Sequence, residues 1–463
     1  MELCKAIKPA KAGNPISPDI YCADPTAAEY QGRLYVFGTN DHQQRTEGKT
    51  GSNTYEAIRS FVVFSTDDMV NWIYHGTINT AAAAPWIISS WAPSVAVRRE
   101  KDGLTHFYLY FSNNGCGVGV ITATDPLGPW SDPLGRPLIA QGMPGLGDVP
   151  NPFDPGVCID GNGTGWLTFG GGRAQDGTPA LPGTARIVRL GDDMLSFAGG
   201  FSPIPAPYFY EASELNIIGS TFCYTYNTSW EPRESWNYPG EPPTRCAMSY
   251  MTAQNPLDPG AWVYRADYLA NPGDSGYPDS NNHTHLHKFR GQWYLFYHTL
   301  QTEQKAGDSG GFRSLCVTPV QVDEQHCTIE RAIACDAGAP QIAPLDPYAP
   351  QSGLLQATHA GIGYVTAENG AAEASAAKAA GAWLCVRGAD FGEQGAGGFS
   401  AILSGSGTLS VYADAPDGEC LCTVTAEQHT CTALLHTPRG LHDVCFVFSE
   451  PGLTLREWRF FAG

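Results

Sequence analysis

Five times along this 463-residue chain, a short run with glycine at or just ahead of its start alternates aromatic or aliphatic residues with smaller ones. The runs cover residues 32–37, 104–112, 165–169, 219–226 and 291–297, a spacing of about 55 to 75 residues. Alternation of this kind marks strands, whose successive side chains face opposite sides of a sheet. Four of the runs have one acid or histidine ten to twelve residues upstream: Asp24, Asp154, Glu211 and His283. The remaining run carries Trp91-Ala92-Pro93 at a larger offset. A unit that repeats five times and delivers one chemical side chain per copy predicts an all-β, five-bladed propeller with a functional residue in each blade.

Further repeats mark the outer strands of those blades. The segments 65–72, 122–130 and 252–262 each read as strand, Asx or proline turn, then a tryptophan that packs the next strand. The chain divides at residues 331–353, where Pro340, Pro344, Pro347 and Pro350 are spaced among small and apolar residues. The predicted organisation is a propeller over 1–330, a proline-rich linker over 331–353 and a β-sandwich over 354–463. In the last part, runs at 383–386, 399–403, 409–412, 420–424 and 444–448 alternate and are separated by Gly and Asp. The alanine-rich stretch 369–382 reads as loop or short helix, with Gly370 and Gly381 near its ends.

Composition narrows the function classes. The formal charge of −19 disfavours nucleic acid and anionic membranes, which need clustered Lys and Arg. No apolar stretch reaches the ~18 residues of a membrane span, and the start, Met1-Glu2-Leu3-Cys4-Lys5, shows no signal peptide, so a cytoplasmic location is expected. The fourteen cysteines are scattered without a CxxC pair, several within apolar runs (Cys158, Cys223, Cys316, Cys445). Buried free thiols in a reducing compartment are expected rather than a disulfide framework or a cysteine-built zinc site.

The mouths of a propeller's innermost strands converge on one pocket, so Asp24, Asp154 and Glu211, at matching phase in three blades, are expected to meet. A lone acid beside proline is ordinarily a turn former, but three at one phase point to shared chemistry. Converging carboxylates suit glycoside hydrolysis, in which one acid must be ionised to activate water and another protonated to serve the leaving oxygen. Glu211, preceded by Tyr208-Phe209-Tyr210, is the expected proton donor and Asp24 the expected base. His283, His285 and His287 alternate and would share a strand face, so a metal-assisted hydrolase is a rival reading. A propeller that only binds sugar is another, although it has no need of an acid and a base.

The ordered set Ala23-Asp24-Pro25-Thr26, Trp91-Ala92-Pro93, Phe153-Asp154-Pro155, Tyr210-Glu211-Ala212-Ser213 and Asn281-Asn282-His283 resembles glycoside hydrolase family 43 over roughly residues 14–320. The resemblance implies a five-bladed propeller of inverting, exo-acting enzymes that release L-arabinofuranose or D-xylose from plant (arabino)xylan oligosaccharides, with endo-arabinanase as an alternative. It implies that Asp24 is the general base, Glu211 the general acid and Asp154 the acid that raises the donor's pKa. It places Trp91 and Arg313 against the sugar, and His283 on the axis, where the family binds water or a calcium ion. The tail, with Gly381-Ala382-Trp383, Asp390-Phe391-Gly392 and Gly440-Leu441-His442-Asp443, more loosely resembles a family 6 carbohydrate-binding module. Its aromatics Trp383, Phe391, Phe399 and Trp458 sit where a core would want them, which favours a sandwich docked on the propeller.

Overall fold

Each of the five runs forms the second strand of its own antiparallel sheet in the computed structural model, which describes residues 2–9, 11–172, 184–233, 236, 238–426 and 432–463. Glycine precedes the runs because a two-residue hairpin that matches strand twist needs two left-handed residues. Gln31-Gly32 (φ 52° and 80°) and Arg290-Gly291 (φ 47° and 85°) supply them in the first and last blades. The innermost strands, Ala23–Tyr30, Trp91–Arg99, Gly156–Ile159, Phe209–Ile218 and Thr284–Phe289, stand side by side in a closed ring. Among the described residues, the first four blades have four propeller strands each, and the fifth has three: Thr284–Phe289, Gln292–Thr299 and Ser314–Pro319. The amino-terminal segment runs along that third strand, with Ile16 N bonded to Leu315 O and Cys22 N to Arg313 O, and so closes the ring.

The propeller core consists of five seams, each a separate apolar cluster between neighbouring blades. The seam between blades one and two, for example, sets Phe37, Phe61 and Val63 against Phe107, Leu109 and Phe111. Trp72 is buried in the seam with blade five, its ring 6.4 Å from that of Phe296, and Trp262 is buried among the fourth blade's aromatics. Both therefore pack as the outer-turn pattern predicts.

Beyond residue 350 the chain forms two facing sheets, a five-stranded one centred on Ala382–Asp390 and Leu441–Phe448, and a six-stranded one centred on Thr454–Ala462. Phe399, Phe446, Trp458 and Phe460 interlock between them. Trp383 lies on the other side of its sheet, where its Nε1 donates to Cys4 O. The stretch 369–382 is neither loop nor helix at its centre. Ala372–Ala377 is a strand, held between Ile362–Thr366 and Thr454–Ala462, and this tertiary pairing overrides its alanine content. The expectation of free thiols throughout also fails in this domain. Cys385 and Cys445 face each other in adjacent strands and are joined in a disulfide. Cys223 and Cys316 are free and buried, and Cys158 is free and half-buried. No helix among the described residues is long and apolar enough to cross a membrane.

The sandwich is fastened to the first blade. Strand Leu355–Gln356 pairs with Trp72–Asn79 and extends that blade's sheet outward. Tyr74 packs on Tyr364 at 4.7 Å, Asp19 pairs with His359 at 3.1 Å, and the buried Lys8 ammonium donates to Ala357 O at 2.9 Å. Gly76 (φ 88°) and Gly370 (φ 87°) meet across the junction, and a β-carbon on Gly76 would stand 2.1 Å from Gly370 O. Gly76→Ala should therefore cost the left-handed strain, about 1–3 kcal/mol, and push the sandwich away from the blade. Thermal unfolding should start at lower temperature, with faster proteolysis between residues 331 and 353; an unchanged melt and digest would refute the prediction.

Candidate active site

Near the start of the inner strand, four blades place a residue in the left-handed region: Asp24 (φ 48°), Ala92 (φ 40°), Asp154 (φ 48°) and Ala212 (φ 58°). The ladder slips register at three of these places, between Ala23 and Thr26, Trp91 and Ser94, and Glu211 and Glu214. Such bulges re-aim side chains at a sheet's end. Left-handed backbone is tolerated by Asp but strained for Ala, so the surroundings must enforce it. The amide of each left-handed residue is held by a side chain of the adjacent blade. Asp24 N donates to His298 Nδ1 (3.3 Å), Ala92 N to Thr39 Oγ1 (2.8 Å), Asp154 N to Ser112 Oγ (2.8 Å), and Ala212 N to Asp154 Oδ2 (2.9 Å).

Every expected site residue, Asp24, Trp91, Asp154, Glu211, His283 and Arg313, lines one cavity of about 110 Å³. Tyr55, Ala92, Phe153 and Asn281 complete its wall. Wider clefts of about 390 and 290 Å³ lie between the first blade and the sandwich, but neither brings three acids together.

The carboxylates of this cavity occupy opposed environments. Asp24 is 5% exposed, and burial alone would raise its pKa. Arg313, whose Nη1 donates to Asp24 Oδ1 at 2.8 Å, and after it His283, instead hold it below the usual carboxylate range. Asp24 is thus ionised and ready to accept a proton. Glu211 is pushed up to about 8, first by desolvation and then by the charges of Asp154 and Asp24. Asp154 is also raised, mainly by burial, but it accepts bonds from Ser112 Oγ (3.0 Å) and Ala212 N (2.9 Å) that favour its anion. The shared proton therefore resides on Glu211. One ionised and one protonated carboxyl facing a single cavity form an acid–base pair.

The other two histidines of the alternating run point elsewhere. His285 Nδ1 lies 3.0 Å from Glu214 Oε1, and its Nε2 is 3.4 Å from His287 Nδ1, with neither ring lining the cavity. His298 Nε2 donates to Asn281 O at 2.9 Å, and burial pushes this imidazole down to about 3, so it is neutral with Nδ1 as acceptor. Two participants escape the sequence reading. Tyr55 (φ 61°) stands against Trp91, whose Nε1 donates to Tyr55 O, and under the Arg313 guanidinium at 5.0 Å. Asp41, fully buried, chelates Arg313. Neither shares the repeat phase that reveals the others.

The chain matches the model of the family described as glycosyl hydrolases family 43 over residues 12–327. It is 34% identical to the arabinoxylan arabinofuranohydrolase of Bacillus subtilis (strain 168), over 95% of this chain and 90% of that protein. It is 32% identical to the arabinoxylan arabinofuranohydrolase of Paenibacillus polymyxa, over 96% and 74% respectively. A crystal structure of a family 43 arabinoxylan arabinofuranohydrolase from Bacillus subtilis, in complex with cellotetraose, superposes with a TM-score of 0.88 at 31% identity, covering 99% of both chains.

The Asp154 charge raises the Glu211 pKa, so its removal should let Glu211 ionise at lower pH. Asp154→Asn is expected to move the alkaline limb of the rate profile down by about 1 to 2 pH units. A limb that stays in place would show that Asp154 does not set the donor's protonation.

Proposed function

Since the chain belongs to glycosyl hydrolase family 43, we propose that it cleaves terminal L-arabinofuranose from arabinoxylan oligosaccharides with inversion, using Asp24 as base and Glu211 as acid. The protein is a glycoside hydrolase. The observation that carries the assignment of roles is the opposed charging of Asp24 and Glu211 across one small cavity. That cavity suits a single terminal sugar, which supports exo action. Arabinofuranose is favoured over xylose because the arabinoxylan arabinofuranohydrolases of Bacillus subtilis and Paenibacillus polymyxa match this chain through the sandwich.

In this mechanism Asp24 removes a proton from a water molecule as its oxygen attacks the anomeric carbon. Glu211 gives its proton to the departing glycosidic oxygen, and the sugar leaves with the opposite configuration. Asp154 keeps Glu211 protonated until that moment and, through its bond to Ala212 N, holds the backbone that carries it. Trp91, Tyr55 and Phe153 form the cavity wall, and Arg313 has donors available for sugar hydroxyls. The axial residues fit a calcium ion poorly. His283 lies 3.6 Å from an Asp24 oxygen already engaged by Arg313, and among the described residues no group of three His, Cys, Asp or Glu could hold a metal. Calcium prefers six to eight oxygen ligands.

An Asp24→Asn protein should fold and bind arabinose but turn over roughly 10²- to 10⁴-fold more slowly. Proton NMR of the wild-type reaction should show the inverted anomer first. Near-normal turnover of the variant removes Asp24 from the role of base, and first appearance of the retained anomer excludes inversion. Faster hydrolysis of nitrophenyl β-xyloside than of nitrophenyl α-arabinofuranoside would overturn the sugar assignment.

A further inference from the structure

Asp41 opens the short helix Asp41–Glu47, whose cap Asn40 accepts from Gln43 N. Its carboxylate is 0% exposed and receives four bonds. Oδ1 accepts from Arg313 Nη2 at 2.8 Å, while Oδ2 accepts from Arg313 Nε and Arg313 N, both at 2.9 Å, and from Asn53 Nδ2 at 2.8 Å. Nη1 of the same guanidinium reaches Asp24. Three of the five guanidinium hydrogens are thereby fixed, and the planar fork is held in one orientation. Asn53 also ties the loop that carries Tyr55 to the fifth blade, its Nδ2 donating to Gly311 O at 3.1 Å and its N to Gly310 O at 2.7 Å.

Building on the assignment of Asp24 as base, we propose that Asp41 is a positioning residue: it orients Arg313 toward Asp24 and the sugar, balances its charge, and locks the Tyr55 wall to both through Asn53. A lone guanidinium beside Asp24 would be free to swing and would place its whole positive charge on the base. Asp41 prevents both. It divides the guanidinium between two carboxylates and fixes the cation over the Tyr55 ring. The groups facing Asp24 are the cations or imidazoles Arg313, His283 and His298, the acids Asp154, Glu211 and Asp41, and the Cys22 thiol. Of the acids, only Asp41 is bonded to the guanidinium that touches the base on the side away from the sugar.

Two variants test this in the full chain with nitrophenyl arabinofuranoside. Asp41→Asn removes the balancing charge, so Asp24 should titrate lower: the acidic limb of kcat/KM moves to lower pH, and kcat falls about 10- to 100-fold. Asp41→Glu keeps the charge but displaces the fork, so kcat should fall by a similar factor with the acidic limb in place; it also serves if the amide variant fails to fold. Wild-type kcat in either variant, or an Asp41→Asn protein that melts earlier but keeps its acidic limb, overturns the proposal. Should Asp24→Asn retain turnover, the assignment of the base fails on its own, independently of how the Asp41 variants behave.

Discussion

The bonds that run from one blade to the amide of the next hold the mouth of this propeller in shape. Thr39, Ser112 and His298 each lie at the outgoing end of a second strand, where they reach the left-handed residue opening a neighbouring inner strand. Without such a partner, a residue like Ala92 would relax to an ordinary extended conformation, and its bulge would vanish. Two further hydroxyls repeat the device one step deeper, with Thr26 accepting from Val95 N and Ser94 from Val157 N. At the next seam Gly156 takes the equivalent place, because a β-carbon there would lie 2.5 Å from the Glu214 backbone. The ring is therefore a cooperative object, in which each blade fixes the backbone of its neighbour.

On this frame, two carboxyls in the same cavity acquire opposite states. Desolvation acts on both and would neutralise both. What separates them is the company each keeps: Asp24 has a guanidinium bonded to it, whereas Glu211 has two other acids. The pair of states is a property of the ring, since Asp24, Asp154, Glu211 and Arg313 come from four different blades.

The sandwich contributes at the rim of the first blade rather than at the cavity. Leu355–Gln356 covers part of the outer strand Trp72–Asn79, an edge that would otherwise expose unpaired backbone groups. Trp458, 1% exposed, and Phe399, fully buried, serve the sandwich's own core, whereas Trp383 faces the amino-terminal segment.

The repeat and its phase are written in the order of residues along the chain. Alternation and turn glycines follow from local backbone chemistry, and an acid at a fixed distance before each strand must land at the same height in its blade; Asp24, Asp154, Glu211 and His283 were legible for that reason. Arg313 and Trp91 were reachable only through family resemblance, since neither stands at that distance. Asp41 and Tyr55 were invisible, because Asp41 acts on a residue 272 positions away across the seam that closes the ring, and Tyr55 lies in an unrepeated loop. Strand Ala372–Ala377 and the Cys385–Cys445 bond were decided in the same way, by partners supplied from distant chain. Local periodicity is written into neighbouring residues, whereas the pairing of charges, thiols and sheet edges between remote segments exists only after the chain has closed on itself.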